Sequence, residues 1–187
     1  MVKKIKKDIK KNKIKNYEVL SGSKVKILYT NGDEYTGCFV RGKKQGYGIM
    51  KYHNGGRYEG EYRNDLKNGE GTMTYANGER YEGEYKNGKK EGKGRYYFSN
   101  DDIYEGYSKS NTATGKGKYY CSNGDIYEGY WENNQANGPM TKIDSNGRII
   151  VQNYANGVLI NPINNNINNQ NNLGLNQANN NQQLEHN

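Results

Sequence analysis

Four glutamates recur at a fixed spacing in this chain, Glu59, Glu82, Glu105 and Glu128, and carboxylates held in a row are groups that could serve as acid and base. Few other residues offer chemistry. There are two histidines, His53 and His186, two cysteines, Cys38 and Cys121, and a glycine-rich run, Gly115-Lys116-Gly117, of the type that cradles phosphate. Each falls short in its setting. A phosphate cradle needs a helix N-terminus or a nest, and no helical pattern follows Gly117. His53 lies beside a turn and His186 in a polar tail, outside any HExxH, GxSxG, CxxC or Walker pattern. Lys and Arg on neighbouring segments are placed to neutralise the glutamates. The row therefore reads as the wet, ion-paired face of a sheet. No catalytic residue, cofactor or metal ligand is expected.

What positions these side chains is an internal repeat. A tyrosine opens a new copy every 23 residues, at Tyr35, Tyr58, Tyr81, Tyr104 and Tyr127. The third position is Gly37, Gly60, Gly83, Gly106 and Gly129. The twelfth is Gly46, Gly69, Gly92, Gly115 and Gly138, and the fourteenth is Gly48, Gly71, Gly94 and Gly117, where Met140 breaks the series. An Asn stands twentieth in every copy, at 54, 77, 100, 123 and 146. A fixed period of this length marks a repeat array and outranks other clues to fold.

Alternation inside a copy gives its geometry. Tyr58-Gly60-Tyr62 and Tyr81-Gly83-Tyr85 alternate with Glu59, Glu61, Glu82 and Glu84, the two-residue period of a strand with one aromatic and one acidic face. Gly71-Met73-Tyr75 and Gly94-Tyr96-Phe98 repeat the asymmetry in a second strand. Asn87-Gly88 and Asn77-Gly78 carry the pair favoured in tight hairpin turns. Each copy is predicted to be a β-hairpin, and the array an all-β, elongated, single-layer antiparallel meander. Glycine weakens a strand unless something packs on it, so the Tyr and Gly residues read as packing, a ring from a neighbouring strand lying over each glycine.

The pattern YxGxxxxGxxxGxG resembles the MORN repeat, the membrane occupation and recognition nexus. Tyr81, Gly83, Gly88, Gly92 and Gly94 carry the resemblance in the third copy, with Asn100 before the closing turn. Asp65, Asn111 and Asn134 depart from it by replacing the eighth-position glycine, and Ser108 by replacing an aromatic. The resemblance implies a row of hairpins forming one elongated sheet, and a role in organising cytoskeletal, ciliary or membrane-apposed assemblies. Some such arrays sit beside lipid kinases, but no kinase segment is present here to bring that activity.

The organisation then follows from the ends of the array. Five repeats occupy 35–57, 58–80, 81–103, 104–126 and 127–149. A degenerate half-repeat at 17–34 caps the start, and a degenerate hairpin at 150–160 closes the end. Residues 1–16 form a polybasic segment whose Lys3, Lys4, Lys6, Lys7, Lys10, Lys11, Lys13 and Lys15 account for nearly all of the net charge of +8. Residues 161–187, with 13 Asn and 4 Gln, are expected to be a disordered tail. Pro139 cannot donate to a ladder, which suits an edge or exit strand. Trp131, the only tryptophan, is expected to lid the last row of rings.

With 32% hydrophobic residues, 19 of them Tyr, the chain cannot fill a thick core, and a thin sheet resolves the shortage. Strand spacing puts Cys38 and Cys121 on the order of 25 Å apart, too far for a disulfide. Free thiols, and the lack of a signal-like or membrane-spanning run, point to a cytoplasmic protein that is cytoskeleton-, cilium- or membrane-associated and not secreted. The expected function is a non-catalytic scaffold or adaptor that binds protein partners or itself. Its candidate contact face is Tyr58, Tyr62, Tyr81, Tyr85, Tyr104, Tyr127 and Trp131. The alternative is peripheral binding of anionic, phosphoinositide-type phospholipid through the basic N-terminal lysines. Nucleic acid is disfavoured, since the repeats are close to neutral and offer no docking element.

Overall fold

The computed structural model describes residues 13–163, and every regular element in that span is a β-strand. In chain order these are β1 (Ile14–Ser21), β2 (Lys24–Tyr29), β3 (Glu34–Val40), β4 (Lys43–Lys51), β5 (Arg57–Arg63), β6 (Leu66–Thr74) and β7 (Arg80–Lys86). They continue as β8 (Lys89–Tyr97), β9 (Ile103–Lys109), β10 (Thr112–Tyr120), β11 (Ile126–Glu132), β12 (Gln135–Ile143), β13 (Ile149–Ala155) and β14 (Val158–Ile163). All pair with their sequence neighbours in one antiparallel 14-stranded sheet. The all-β meander expected from the repeat is what the chain builds.

The first strand starts within the segment read as a basic extension. Ile14 pairs with Tyr29 and is buried in the hydrophobic cluster, so β1 begins where the first side chain finds apolar neighbours. At the other end, β13 and β14 form the hairpin that follows the fifth repeat.

The register explains why glycine recurs. Cross-strand partners run Gly37, Gly48, Gly60, Gly71, Gly83, Gly94, Gly106, Gly117 and Gly129, a straight line of glycines across the sheet. The tyrosine that opens each of the first four copies covers two of them, the third-position glycine of its own strand and, as expected, the fourteenth-position glycine of the neighbouring strand. Tyr58 lies so close over Gly60 and Gly71 that a Cβ on Gly71 would fall 2.6 Å from Tyr58 Cζ. Its hydroxyl then donates to Glu61 O at 3.0 Å, and Tyr35, Tyr81 and Tyr104 donate likewise to Cys38, Glu84 and Tyr107 carbonyls. In the fifth copy Met140 takes over: its Sδ fills the space beside Gly129, and it is 1% exposed.

A bulge in every hairpin is the feature that two-residue alternation could not show. Gly60 pairs with Gly71 but Tyr62 pairs with Lys67, so the intervening Asn68, Gly69 and Glu70 face a single residue. The twelfth-position glycine carries the turn of the bulge, with φ of +85° at Gly69 and +75° at Gly92, a conformation that suits glycine. The fourth-position glutamate pins it, since Glu84 Oε1 accepts from Lys93 N at 2.8 Å. The thirteenth amide is thus held by a side chain and not by the ladder. This corrects the reading of Pro139, which sits at that position in β12, an interior strand paired on both sides. Proline is tolerated because the amide it lacks is one the ladder does not use.

Candidate functional site

Two faces of the sheet offer surface, one aromatic and one charged. On the aromatic face, Tyr58, Tyr62, Tyr81, Tyr85 and Tyr104 are buried, at 0 to 7% exposure. They interlock edge-on: Tyr62 stands 5.5 Å from Tyr35 and 5.2 Å from Tyr58, and Tyr85 stands 5.3 Å from both Tyr58 and Tyr81. Such pairs add about 0.5–1.5 kcal/mol each beyond area burial. These five candidate contact rings are therefore walled in by packing, while Tyr127 and Trp131 are half-buried. A partner on this face meets what lies beside and above the five: half-buried Tyr52, Tyr75, Tyr96, Phe98 and Tyr119.

It also meets a row of lysines that the sequence reading did not single out. Lys44, Lys67 and Lys90 at the tenth position share the parity of the fourteenth and sixteenth, which the bulge preserves by setting three residues against one, and they lie over the rings. Lys67 Nζ is 4.6 Å from the Tyr58 centroid and 5.6 Å from those of Tyr52 and Tyr85, and Lys90 Nζ is 4.4 Å from that of Tyr96. Burial, together with the neighbouring Lys44 and Lys90, pushes the Lys67 ammonium down to about 8. Among the described residues Lys67 has no carboxylate partner, and its Nζ contacts Met73 Sδ at 3.4 Å. Nearby, the Tyr62 and Tyr85 hydroxyls are buried with no hydrogen-bond partner among the described residues.

The wet face carries the glutamate row. Each member has a basic neighbour: Glu59 pairs with Arg57, Glu82 with Arg80 at 2.7 Å, Glu105 with Arg95 at 2.5 Å and Glu128 with Lys118 at 3.0 Å. A groove of about 970 Å³ runs along this face over the glycine line, with exposed Tyr107 and Tyr130 at its border. Bonds from the Tyr47 hydroxyl and Arg57 hold the Glu59 carboxyl below its usual value.

Carboxylates at the repeat junctions act as staples. Asp102 accepts from Tyr119 Oη at 2.7 Å, from Ser122 N at 2.7 Å and from Asn100 Nδ2 at 2.8 Å. The Tyr119 hydroxyl and the Ser122 amide hold its carboxyl below the usual value. Asp125 repeats the bond to Ser145 N at 3.0 Å, and Asp33 the bond to His53 N at 2.9 Å. His53 Nδ1 lies 3.0 Å from the same Asp33 carboxylate, which places the histidine in a staple. Sequence reasoning missed the staples, although the acid two residues before Tyr35, Tyr81, Tyr104 and Tyr127 is a periodic signal of its own.

Cys38 and Cys121 are free thiols on separate parts of the sheet. No cluster of three His, Cys, Asp or Glu among the described residues could hold a metal ion. Of the basic N-terminal residues, Lys13 and Lys15 are exposed beside and on β1. Lys3, Lys4, Lys6, Lys7, Lys10 and Lys11 lie outside the described residues, as do His186 and the Asn-rich segment from 164 onward.

Comparison with known proteins agrees with the repeat. Residues 35–57, 58–80, 81–103, 104–126 and 127–139 match the MORN repeat. No curated protein sequence matches the chain. Among solved structures, the TCP domain of Drosophila melanogaster SAS-4 in complex with a proline-rich motif of Ana2 is 16% identical, with a TM-score of 0.36 over 74% of this chain and 89% of that one. The TCP10 domain of Danio rerio CPAP in complex with a STIL peptide is 11% identical, with a TM-score of 0.38 over 75% of this chain and 70% of that one.

Proposed function

Since the chain belongs to the MORN-repeat family, we propose that it is a non-catalytic scaffold that binds protein partners within a cytoskeletal, ciliary or membrane-apposed assembly. One observation supports this above the rest. Among the described residues the sheet is a single layer, so its aromatic face ends in half-buried rings and lysines with no second layer over them. Aromatic residues beside cations are the types that dominate the energetics of protein interfaces. The paired glutamates and stapled aspartates serve the sheet itself, which leaves binding as the use of the surface.

Proximity labelling in the native cell, with light scattering on the purified protein, tests the proposal. A reproducible set of protein neighbours whose recovery falls on substitution of Tyr96 and Tyr119 is the expected result. A strictly monomeric protein that recovers only lipid would count against it.

A further inference from the structure

The packing rhythm of the aromatic face fails at one place. Tyr58 is met edge-on from both sides, by Tyr62 and Tyr85. Tyr81 has Tyr85 at 5.3 Å on one side only, and Tyr104 has Trp131 at 5.2 Å on the other. The fifth-position residue between them is Ser108 instead of a ring. In the same copy the tenth position is Ala113, where Lys44, Lys67 and Lys90 stand in the three copies before it. Two covering side chains are thus trimmed at a single spot. They leave an open cleft of about 290 Å³ walled by Tyr96, Phe98, Tyr104, Tyr119 and Trp131, with Lys90 on its rim.

We infer that this cleft is a docking slot for one aromatic side chain carried on an acidic peptide segment of a partner protein. The inference rests on the scaffold role proposed above and gives the partner its chemistry. Size and shape argue for a ring. An apolar cavity of about 150 Å³ accepts benzene, so this cleft takes a phenyl or phenol group with room for its backbone attachment. A ring seated there meets the edges of Tyr81 and Tyr104 that Tyr62 and Tyr85 satisfy elsewhere. Charge argues for acidic flanks. No lining residue is Asp or Glu, and Glu79, whose charge Lys90 feels, already accepts from Tyr96 Oη at 2.7 Å. Beyond Lys90 the same face continues to Lys67, which lacks a carboxylate partner among the described residues. A basic peptide would meet these two ammonium groups, of which only Lys90 has a carboxylate, Glu79, in electrostatic reach. The chain's own residues 1–12 and 164–187 contain no Phe, Tyr or Trp, so they do not supply the occupant.

The test is a displayed library of random twelve-residue peptides panned on the full-length protein, with Trp131 fluorescence as a reporter inside the slot. The expected winners carry Phe, Tyr or Trp next to Asp or Glu and shift the Trp131 emission. They bind Ser108→Ala as tightly as the parent and Lys90→Ala about tenfold more weakly, and they are lost on Ser108→Tyr. Ser108→Tyr restores the ring of the other repeats, and a melting temperature at or above that of the parent shows that it folds. Three results overturn the inference: no enrichment, winners without an aromatic, or winners retained by Ser108→Tyr. If native partners labelled by the parent persist with Ser108→Tyr, the slot fails while the scaffold role stands. If purified protein self-associates and Ser108→Tyr abolishes that, the occupant is a second copy and the acidic-peptide assignment falls.

Discussion

Asn111 and Lys90 are bonded twice, across 21 positions of sequence. Asn111 N donates to Lys90 O at 3.0 Å, and Asn111 Oδ1 accepts from Lys90 N at 2.8 Å. Asp65 clasps Lys44 and Asn134 clasps Ala113 in the same way. In the third copy Gly88 keeps only the backbone half, to Lys67 O. The departures from glycine at the eighth position are thus a second inter-repeat fastening, opposite the Asp102 and Asp125 staples.

The clasp should be measurable in isolation. Asn111→Gly keeps the φ of +74° accessible and removes only the side-chain bond, so a loss of about 1 kcal/mol is expected in urea unfolding. Gly88→Asn, at φ of +85°, adds the missing bond and should raise stability by a similar or smaller amount. An unchanged midpoint in both variants would show that the bond contributes nothing net.

The glycine line separates close approach from backbone freedom. Gly71→Ala drives a methyl into the Tyr58 ring, which is fully buried and fixed by its bond to Glu61 O. The ring must leave its seat, and a loss of about 3 kcal/mol or more is expected. Gly78→Ala meets no atom within 4 Å but sits at φ of +87°, so it should cost only about 1 kcal/mol. Thermal melts of the two variants side by side decide the point, and equal losses would refute the packing explanation.

Lys67 gives the sheet a pH signature. Its folded-state pKa of about 8 lies below the ordinary 10.5. Below about 8 both folded and unfolded chains hold the proton, and the fold bears the whole desolvation cost. Between there and 10.5 only the unfolded chain binds it fully, so stability rises with pH. Above roughly 10 the trend reverses, because Tyr81 and Tyr104, pushed up to about 12 by burial, keep protons that the unfolded chain releases. Lys67→Met should reduce the alkaline rise, leaving the part due to Lys44 and Lys90, which burial also pushes down, and add on the order of 1 kcal/mol at neutral pH. Unfolding curves from pH 7 to 11 provide the check.

How far the sequence carried the fold can be judged from Tyr58 and Lys67. The repeat period, the strand alternation and the Asn-Gly turns place Tyr58 on a packed face with Gly60, because those signals are local and recur five times. Lys67 was not singled out, although it shares the parity of Gly71, Met73 and Tyr75, because a lysine in a charged repeat gives no local sign that rings from other strands lie beneath it. The bulge had a clue of its own in the recurrence of the twelfth-position glycine, which alternation does not explain. The cleft at Ser108 was visible as a departure from the pattern, but its meaning depends on Tyr81, Tyr104 and Trp131 arriving around it from different strands. Pairwise packing across hairpins is what a one-dimensional pattern does not contain.

The basic N-terminus supplies the remaining prediction. Eight lysines near an anionic surface are worth about 1 kcal/mol each, enough to hold the sheet at a membrane without any groove. Deleting residues 1–16 is a poor test, because it removes Ile14, which is buried, and the first pairs of β1. Replacing Lys3, Lys4, Lys6, Lys7, Lys10 and Lys11 with Gln leaves the described sheet intact and removes six charges. Sedimentation with phosphatidylserine and phosphoinositide vesicles at 0.1 M salt should show binding by the parent, a loss of about tenfold or more in the variant, and release of the parent as salt is raised. If the variant sediments as well as the parent, the membrane contact lies on the repeats, where Lys118, Arg95 and the ion-paired wet face become the groups to substitute next.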